Sequence, residues 1–129
     1  MRILLDTQCW LWMLAEPERF SEASRRLLIA RENELFFSAA SAWEISIKYE
    51  LGRLTLPAPP AASVPPLMAK TGVTPLPVLH EHALAVAGLP PHHRDPFDRL
   101  LVAQARVERL PILSADRTLE AYDVEILRA

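Results

Sequence analysis

The chain has 129 residues, a length typical of one domain, and half of its residues are hydrophobic while its formal net charge is −2. This composition excludes an intrinsically disordered chain and a protein that attracts nucleic acid through an overall basic field. The three glycines, Gly52, Gly72 and Gly88, are too far apart for G-x-G-x-x-G or G-x-x-x-x-G-K-[ST], the commonest glycine-rich loops that bind nucleotide phosphates.

The cysteine content and the apolar runs indicate a cellular compartment. Cys9 is the only cysteine, so an intramolecular disulfide and a four-cysteine metal site are both excluded. No apolar run approaches the roughly 18 residues needed to span a bilayer. The run that follows Met1 is too short for a signal peptide. We therefore expect a cytoplasmic protein that does not associate with membranes.

The first half of the chain alternates strand and helix patterns. Ile3, Leu4 and Leu5 form a continuous apolar run that ends at Asp6, which predicts a strand buried on both faces of a parallel sheet. The elements predicted next are a helix at 7–16, a helix at 21–31 with Ser21 as N-cap, a strand at 35–38, and a helix that opens with a capping box from Ser41 to Glu44 and closes at Gly52.

The second half is rich in proline, with ten of the twelve prolines between Pro57 and Pro96. The predicted elements are a short helix at 67–71, a strand at 73–78, a helix at 81–87, a loop at 90–94, a long helix from Pro96 to about Arg109 with Asp95 as N-cap, a strand at 111–114, a helical turn at 117–121 and a strand at 124–127. Strands that alternate with helices predict a single α/β domain over 1–129, a three-layer α/β/α sandwich around a mostly parallel sheet.

Four acidic residues are placed at equivalent points of this predicted fold. Asp6 follows the first strand directly, and Asp116 lies two residues beyond the strand that ends at Ser114. Glu44 and Asp98 are each predicted in the first turn of a helix at the same edge of the sheet. Because ligands bind at the carboxyl edge of parallel sheets, we expect these four carboxylates to converge there.

Helix capping is the competing explanation for these acidic residues, since carboxylates stabilise helix N-termini. It accounts well for Asp95. It accounts less well for Glu44, which shares a helix face with Ile47 and Leu51. Asp98 also lies on an apolar stripe. Its neighbours on that stripe are Leu101, Val102 and Ala105. A carboxylate on a buried face is costly unless it is paired or bound to a cation, which favours a site.

Electrostatics indicates what such a site binds. Two carboxylates about 4 Å apart repel by roughly 4 kcal/mol at an effective dielectric constant of 20. A divalent cation removes that repulsion, and ligation by oxygen alone suits Mg²⁺ or Mn²⁺ better than Zn²⁺. A bound cation of this kind polarises a phosphoryl oxygen and lowers the pKa of a bound water. The carboxylates therefore predict metal-dependent phosphoryl chemistry.

The histidines, tryptophans and the cysteine could also act in a functional site, but structural interpretations are favoured for them. Four histidines are expected at the surface, in a loop or on a helix, namely His80, His82, His92 and His93. Core or dimer packing is favoured over base stacking for the three tryptophans, Trp10, Trp12 and Trp43. Cys9 is expected to be a small buried hydrophobic residue.

Three arginines lie near the predicted acidic edge and are candidates for contacts with a nucleic-acid backbone: Arg94, Arg99 and Arg117. Arg99 is the weakest candidate, because it follows Asp98 directly on a helix and should point away from it.

The sequence resembles the PIN-domain ribonucleases, in particular the VapC-type toxins of bacterial toxin–antitoxin pairs. Four segments that span nearly the whole chain carry the resemblance, and they are Ile3-Leu-Leu-Asp6-Thr, Ser41-Ala-Trp-Glu44-Ile-Ser-Ile-Lys48, His93-Arg-Asp-Pro-Phe-Asp98-Arg-Leu-Leu-Val-Ala-Gln104 and Leu113-Ser-Ala-Asp116. The Arg-Asp-Pro-Phe-Asp-Arg block is the most specific of these.

This resemblance implies an endoribonuclease of the α/β/α fold. It implies that Asp6, Glu44, Asp98 and Asp116 are the catalytic quartet that binds Mg²⁺ or Mn²⁺, with Asp116 completing the pocket or positioning a second ion. It also implies an RNA substrate, often tRNA or ribosomal RNA, a homodimer, and a cognate antitoxin whose tail lies in the active-site groove.

Two other functions stay open. A different Mg²⁺-dependent phosphohydrolase or a DNA nuclease would use similar carboxylates, although a haloacid-dehalogenase phosphatase needs Asp-x-Asp where this chain has Asp6-Thr7-Gln8. A PIN-like binding module would bind a basic partner through its acidic residues and would not be an enzyme. Four converging acids disfavour that module, because binding alone does not require them.

Overall fold

The structure, a computed structural model that describes residues 1–129, contains a central sheet of five strands that all run parallel. The strands are β1 (Arg2–Leu5), β2 (Glu34–Ser38), β3 (Thr74–Leu76), β4 (Ile112–Ser114) and β5 (Ile126–Arg128), in the spatial order β3-β2-β1-β4-β5. In the register, Leu4 of β1 pairs with Phe36 of β2 and with Ile112 of β4. The prediction of a mostly parallel sheet is confirmed, and the sheet is in fact wholly parallel.

Six α-helices cover the two faces of the sheet. They are α1 (Thr7–Ala15), α2 (Glu22–Ile29), α3 (Ala39–Glu50), α4 (Pro60–Thr71), α5 (His80–Ala85) and α6 (Pro96–Glu108), with short 3₁₀ turns at Pro17–Arg19, Val86–Gly88 and Arg117–Ala121. None of these helices combines the length and the apolar composition required to cross a membrane.

The core is divided by the sheet into two clusters, as a three-layer sandwich requires. Leu4 packs with residues of α6 such as Val102 on one face, whereas Ile3 and Leu5 pack with Trp10 of α1 on the other. The side chains of Ile3, Leu4 and Leu5 are fully buried. A strand buried on both faces needs a continuous apolar run rather than alternation, which is why this strand was predictable.

Two helices begin earlier than predicted. Helix α3 starts at Ala39, and the hydroxyl of Ser38, not Ser41, caps it by accepting from the Ala40 amide at 3.0 Å. The predicted capping box is therefore wrong, because β2 passes into the helix without an intervening turn. Helix α4 starts at Pro60 and continues through two interior prolines of a kind that normally breaks a helix, and its Val64 is buried in the core cluster on one face of the sheet.

Two side chains expected elsewhere occupy unexpected environments. His82 is fully buried rather than at the helix surface, since its Nδ1 accepts from the Leu79 amide at 3.0 Å and its Nε2 lies 2.9 Å from a Glu108 carboxylate oxygen. Trp43 is 59% exposed, with its ring packed edge-on against Phe97, so of the two predicted environments only packing in a dimer stays open for it. Trp10 is fully buried, as expected.

Candidate metal centre

The four predicted carboxylates meet in one cleft of about 180 Å³ at the carboxyl edge of the sheet. The acidic side chains that line it are Asp6, Glu44, Asp95, Asp98 and Asp116. Lys48 is the only basic residue in the lining. All four residues therefore lie at the edge predicted for them, and a fifth carboxylate, that of Asp95, joins them from the cap of α6.

Asp6 links the first strand to the first helix at the base of the cleft. Its side chain caps α1 by accepting from the Cys9 amide at 2.7 Å, and its other carboxylate oxygen accepts from the hydroxyl of Ser114 at the end of β4. Burial raises the pKa of Asp6 above its ordinary value, although both hydrogen bonds oppose the change. The Cys9 thiol is buried beside it, which raises the pKa of that thiol and leaves it chemically inert, in line with its predicted role.

Glu44 lies deeper in its helix than the sequence suggested. Because α3 begins at Ala39, Glu44 occupies the second turn instead of the first. Glu44 is only 5% exposed, and one of its carboxylate oxygens contacts Lys48 Nζ at 2.6 Å. The other oxygen, Oε1, is buried with no hydrogen-bond partner. An acceptor left in this state is costly unless something in the cleft satisfies it.

Asp98 lies in the first turn of α6, as predicted. Asp95 caps that helix by accepting from the amides of Phe97 at 2.8 Å and Asp98 at 3.3 Å, which confirms its predicted capping role. The Asp98 side chain is 22% exposed. Burial, followed by the negative charge of Asp95, raises the pKa of Asp98 to about 7. Near neutral pH the carboxyl group of Asp98 is therefore only partly ionised.

Asp116 is the most exposed of the four and is held by local hydrogen bonds. It caps the 3₁₀ turn at Arg117–Ala121, and one carboxylate oxygen accepts from the Thr118 amide at 2.9 Å and from the Thr118 hydroxyl at 2.7 Å. Burial by itself would raise the pKa of Asp116, but the hydrogen bonds from Thr118 and His93 outweigh it and leave the pKa below its ordinary value. The pKa values of Asp98 and Asp116 are thus shifted in opposite directions.

His93 belongs to the cleft, and its interpretation as an exposed loop residue is wrong. Its Nε2 hydrogen bonds to Asp116 Oδ2 at 3.1 Å and lies 3.1 Å from Asp98 Oδ2. Its Nδ1 accepts from the Asp95 amide at 3.0 Å, and its own amide donates to the Tyr122 hydroxyl at 2.8 Å. The available sequence signal was the position of His93 at the head of the segment that contains both Asp95 and Asp98.

Gln104 is a second residue whose role the sequence did not reveal. It is fully buried, its side-chain carbonyl accepts from the hydroxyl of Ser38, and its amide donates to the Pro77 carbonyl at 3.1 Å. These bonds tie α6 to the carboxyl ends of β2 and the segment after β3. They fix the direction from which α6 presents Asp98 to the cleft.

The three candidate arginines differ in their surroundings. Arg99 points away from Asp98, as predicted, and its guanidinium donates to backbone carbonyls, at 2.9 Å to Pro90 and at 3.2 Å to Val86. It therefore holds the loop before α6 in place. Arg94 and Arg117 are exposed, on the segments that carry His93 and Asp116.

The cleft has the donor set of a divalent-cation site. It presents carboxylate oxygens from several elements with a single lysine to balance them, and one of those oxygens, Glu44 Oε1, is buried without a partner. Hard cations such as Mg²⁺ and Mn²⁺ prefer oxygen ligands of this type. By type the lining residues fit such an ion, and ligand atoms of Asp98, Asp116 and His93 lie within 4.8 Å of one another, with Asp6 and Glu44 in the same lining.

A wholly parallel α/β/α sandwich with an acidic cleft at the carboxyl edge of its sheet defines the class: an α/β protein that binds its ligand where the strands end. Within that class, residues 3–125 match the PIN domain, and the chain belongs to the PIN domain family. Ribonuclease VapC16 of Mycobacterium tuberculosis is 52% identical over 50 residues, a match that covers 39% of this chain and 36% of that protein. The alignment thus spans about a third of the curated relative.

Solved structures support the same fold. VapBC2 from Rickettsia felis, crystallised with a DNA fragment from its promoter, superposes with a TM-score of 0.75 at 11% identity, over 100% of this chain and 99% of that one. VapBC-5 from Mycobacterium tuberculosis gives a TM-score of 0.63 at 20% identity, over 99% and 98% of the two chains. Both likenesses establish the fold.

Proposed function

We propose that this chain, acting as a single PIN-like domain over residues 1–129, is a metal-dependent endoribonuclease and the toxin of a toxin–antitoxin pair. The observation that carries the proposal is the buried, unpartnered Oε1 of Glu44, a residue that lines one cleft together with further carboxylates. Membership of the PIN domain family and the segment shared with a protein named Ribonuclease VapC16 support the choice of reaction.

In the proposed site, Asp6, Glu44 and Asp98 hold Mg²⁺ or Mn²⁺ and orient its water, while Asp116 completes the pocket or positions a second ion. The ion, when bound, polarises a phosphoryl oxygen and lowers the pKa of the attacking water. Lys48 contacts only one oxygen of Glu44, which leaves the other available as a ligand.

The proposed substrate is RNA, with tRNA and ribosomal RNA as the candidates that follow from the family resemblance. Arg94 and Arg117 are exposed on segments that border the cleft, where a guanidinium group can contact phosphate. The proposed partners are a cognate antitoxin and a second copy of this chain, in the cytoplasm. VapBC proteins among the structural neighbours support the antitoxin proposal.

The decisive experiment measures cleavage of labelled single-stranded RNA by the purified chain with Mg²⁺ or Mn²⁺ and with EDTA. Asp6→Asn and Asp98→Asn should each reduce metal-dependent cleavage at least a hundredfold while circular dichroism shows a folded chain. Asp123→Asn, which removes an exposed carboxylate outside the cleft, is the matched control and should cleave like the wild type.

The same assay separates the other candidate functions. Cleavage that is unchanged in both cleft variants contradicts the proposed site. Preference for single-stranded DNA of the same sequence would indicate a DNA nuclease. Absence of cleavage of either polymer, with a metal-independent complex between the chain and a basic partner, would indicate a binding module.

A further inference from the structure

We infer that the imidazole of His93 competes with a cation in the cleft: its Nε2 hydrogen bonds to Asp116 Oδ2 and lies 3.1 Å from Asp98 Oδ2, at carboxylate oxygens that a cation has to take over. The inference rests on the proposed metal site. It assigns to His93 the role of a competing hydrogen-bond donor rather than that of a metal ligand, and it concerns the metal-free chain.

The hydrogen bonds of His93 define which ring nitrogen carries the proton. The Asp95 amide donates to Nδ1 at 3.0 Å, so Nδ1 has to be the unprotonated nitrogen. In the neutral ring the proton then lies on Nε2, which makes Nε2 a donor. That donor is the atom 3.1 Å from both Asp98 Oδ2 and Asp116 Oδ2.

The same proton position argues against His93 as a metal ligand. A ligating Nε2 needs a free lone pair, and the other ring nitrogen of a metal-bound histidine normally donates its N–H to a carbonyl or carboxylate. Here Nδ1 faces an amide donor instead. Ligation through Nε2 would move the ring proton to Nδ1, where it would face the N–H of Asp95. The hydrogen bond from the Asp95 amide that fixes the ring would then be lost.

The contacts of the His93 imidazole with Asp98 and Asp116 are called the bridge below. The loop that carries His93 is also anchored at other points, so its geometry does not depend on the bridge alone. The His93 amide donates to the hydroxyl of Tyr122, a residue only 4% exposed. Arg99 donates to the carbonyls of Pro90 and Val86 on the approach to the loop. The backbone can therefore stay in place while the imidazole gives up the two carboxylates.

The charge distribution around His93 shows which carboxylates the bridge affects. It touches Asp98 and Asp116, the two nearest its own loop and the 3₁₀ turn, and makes no hydrogen bond or ion pair with Asp6 or Glu44. A cation held by Asp98 in the proposed site, and a second ion positioned by Asp116, each have to displace the imidazole. The imidazole thus lowers the apparent affinity of the cleft for a cation and leaves the buried carboxylates of Asp6 and Glu44 unblocked.

The test is Mn²⁺ binding by isothermal titration calorimetry and by electron paramagnetic resonance at pH 7.5, with the purified wild-type chain and matched variants. His93→Ala should bind Mn²⁺ about tenfold more tightly than the wild type, because a hydrogen bond to an ionised group is worth at least that factor. Mg²⁺ affinity should rise by a similar factor, since the competition does not depend on ligand softness.

Two further variants distinguish the bridge from a general effect on the loop. His93→Gln keeps an N–H donor at an equivalent distance along the side chain and should restore affinity close to that of the wild type. His80→Ala removes an exposed histidine outside the lining of the cleft and should leave the affinity unchanged. Nitrogen-15 NMR of the metal-free wild type should show the His93 proton on Nε2.

The outcomes separate this inference from the proposed function. Unchanged or weaker Mn²⁺ binding by His93→Ala overturns the competition, and a loss larger for Mn²⁺ than for Mg²⁺ would identify His93 as a ligand. If Asp98→Asn binds Mn²⁺ as tightly as the wild type, the proposed carboxylate site itself is wrong, and the inference falls with it.

Discussion

The raised pKa of Asp98 predicts an unusual response of the metal-free chain to pH. An ordinary surface aspartate has a pKa of 3.8, whereas burial and the nearby Asp95 raise that of Asp98 to about 7. The folded chain therefore binds the Asp98 proton more tightly than the unfolded chain does. The resulting stability is fully present below the unfolded pKa and is lost as the pH rises through about 7.

The magnitude follows from the two pKa values. Between pH 5 and pH 8 the linkage relation gives a loss of roughly 2 to 3 kcal/mol in the free energy of unfolding from Asp98 alone. Asp98→Asn removes the ionisation, so the stability difference between variant and wild type should grow by that amount over this range. For a domain of this size, it corresponds to a difference in melting temperature on the order of 10 °C.

The assay is thermal and urea unfolding of the wild type, Asp98→Asn and Asp123→Asn in EDTA at pH 5, 6, 7 and 8. His93 contacts Asp98 at 3.1 Å, so the variant also changes that contact, at every pH of the series. Asp116 does not obscure the result, since its pKa is lowered from its ordinary value and therefore lies outside the pH range of the assay. Asp123→Asn should follow the wild type throughout.

A pH-independent difference between Asp98→Asn and the wild type would refute this reasoning. It would mean that the Asp98 carboxylate is as well solvated in the folded chain as in the unfolded one. A difference that grows towards acid pH would be a stronger contradiction, because it would require a pKa lowered by folding.

Three further predictions use the same unfolding measurements. Mn²⁺ at about a hundred times its dissociation constant should stabilise the wild type by roughly 2.7 kcal/mol and should stabilise Asp98→Asn much less; equal stabilisation would contradict carboxylate ligation. Lys48→Met should destabilise the metal-free chain by about 1 to 2 kcal/mol, since Glu44 loses its only cationic partner, and Mn²⁺ should restore most of the loss. Trp10→Ala should cost about 3 to 5 kcal/mol with or without Mn²⁺, because the loss comes from the core; a smaller cost would contradict its complete burial.

The parts of the fold that were predictable depend on local patterns. The buried strand at Ile3–Leu5 could be recognised because burial on both faces requires consecutive apolar residues. Ser21 and Asp95 could be recognised as N-caps because capping uses atoms only two or three residues away. The convergence of Asp6 and Asp116 followed from topology, since parallel strands end at a common edge.

The parts that were wrong depend on contacts distant in sequence. His82 is buried because Glu108, 26 residues later, reaches its ring. His93 lies in the cleft because Tyr122, 29 residues later, holds its amide. Neither contact produces a local pattern. The start of α3 failed for a different reason, because Ser38 and Ser41 are both suitable caps and the position of the strand end decides between them.

The shift in the start of α3 has a consequence for the whole cleft. A glutamate in the first helical turn, as predicted, would have been stabilised by the free amides of that turn. In the second turn, Glu44 has no such donors, and Lys48 satisfies only one of its oxygens. The same placement that removes the helix-end stabilisation therefore leaves Oε1 unpartnered and buried, as an available ligand. For this reason the metal-free chain should be limited in stability by its acidic cleft, and a bound cation should stabilise the fold and complete the site at once.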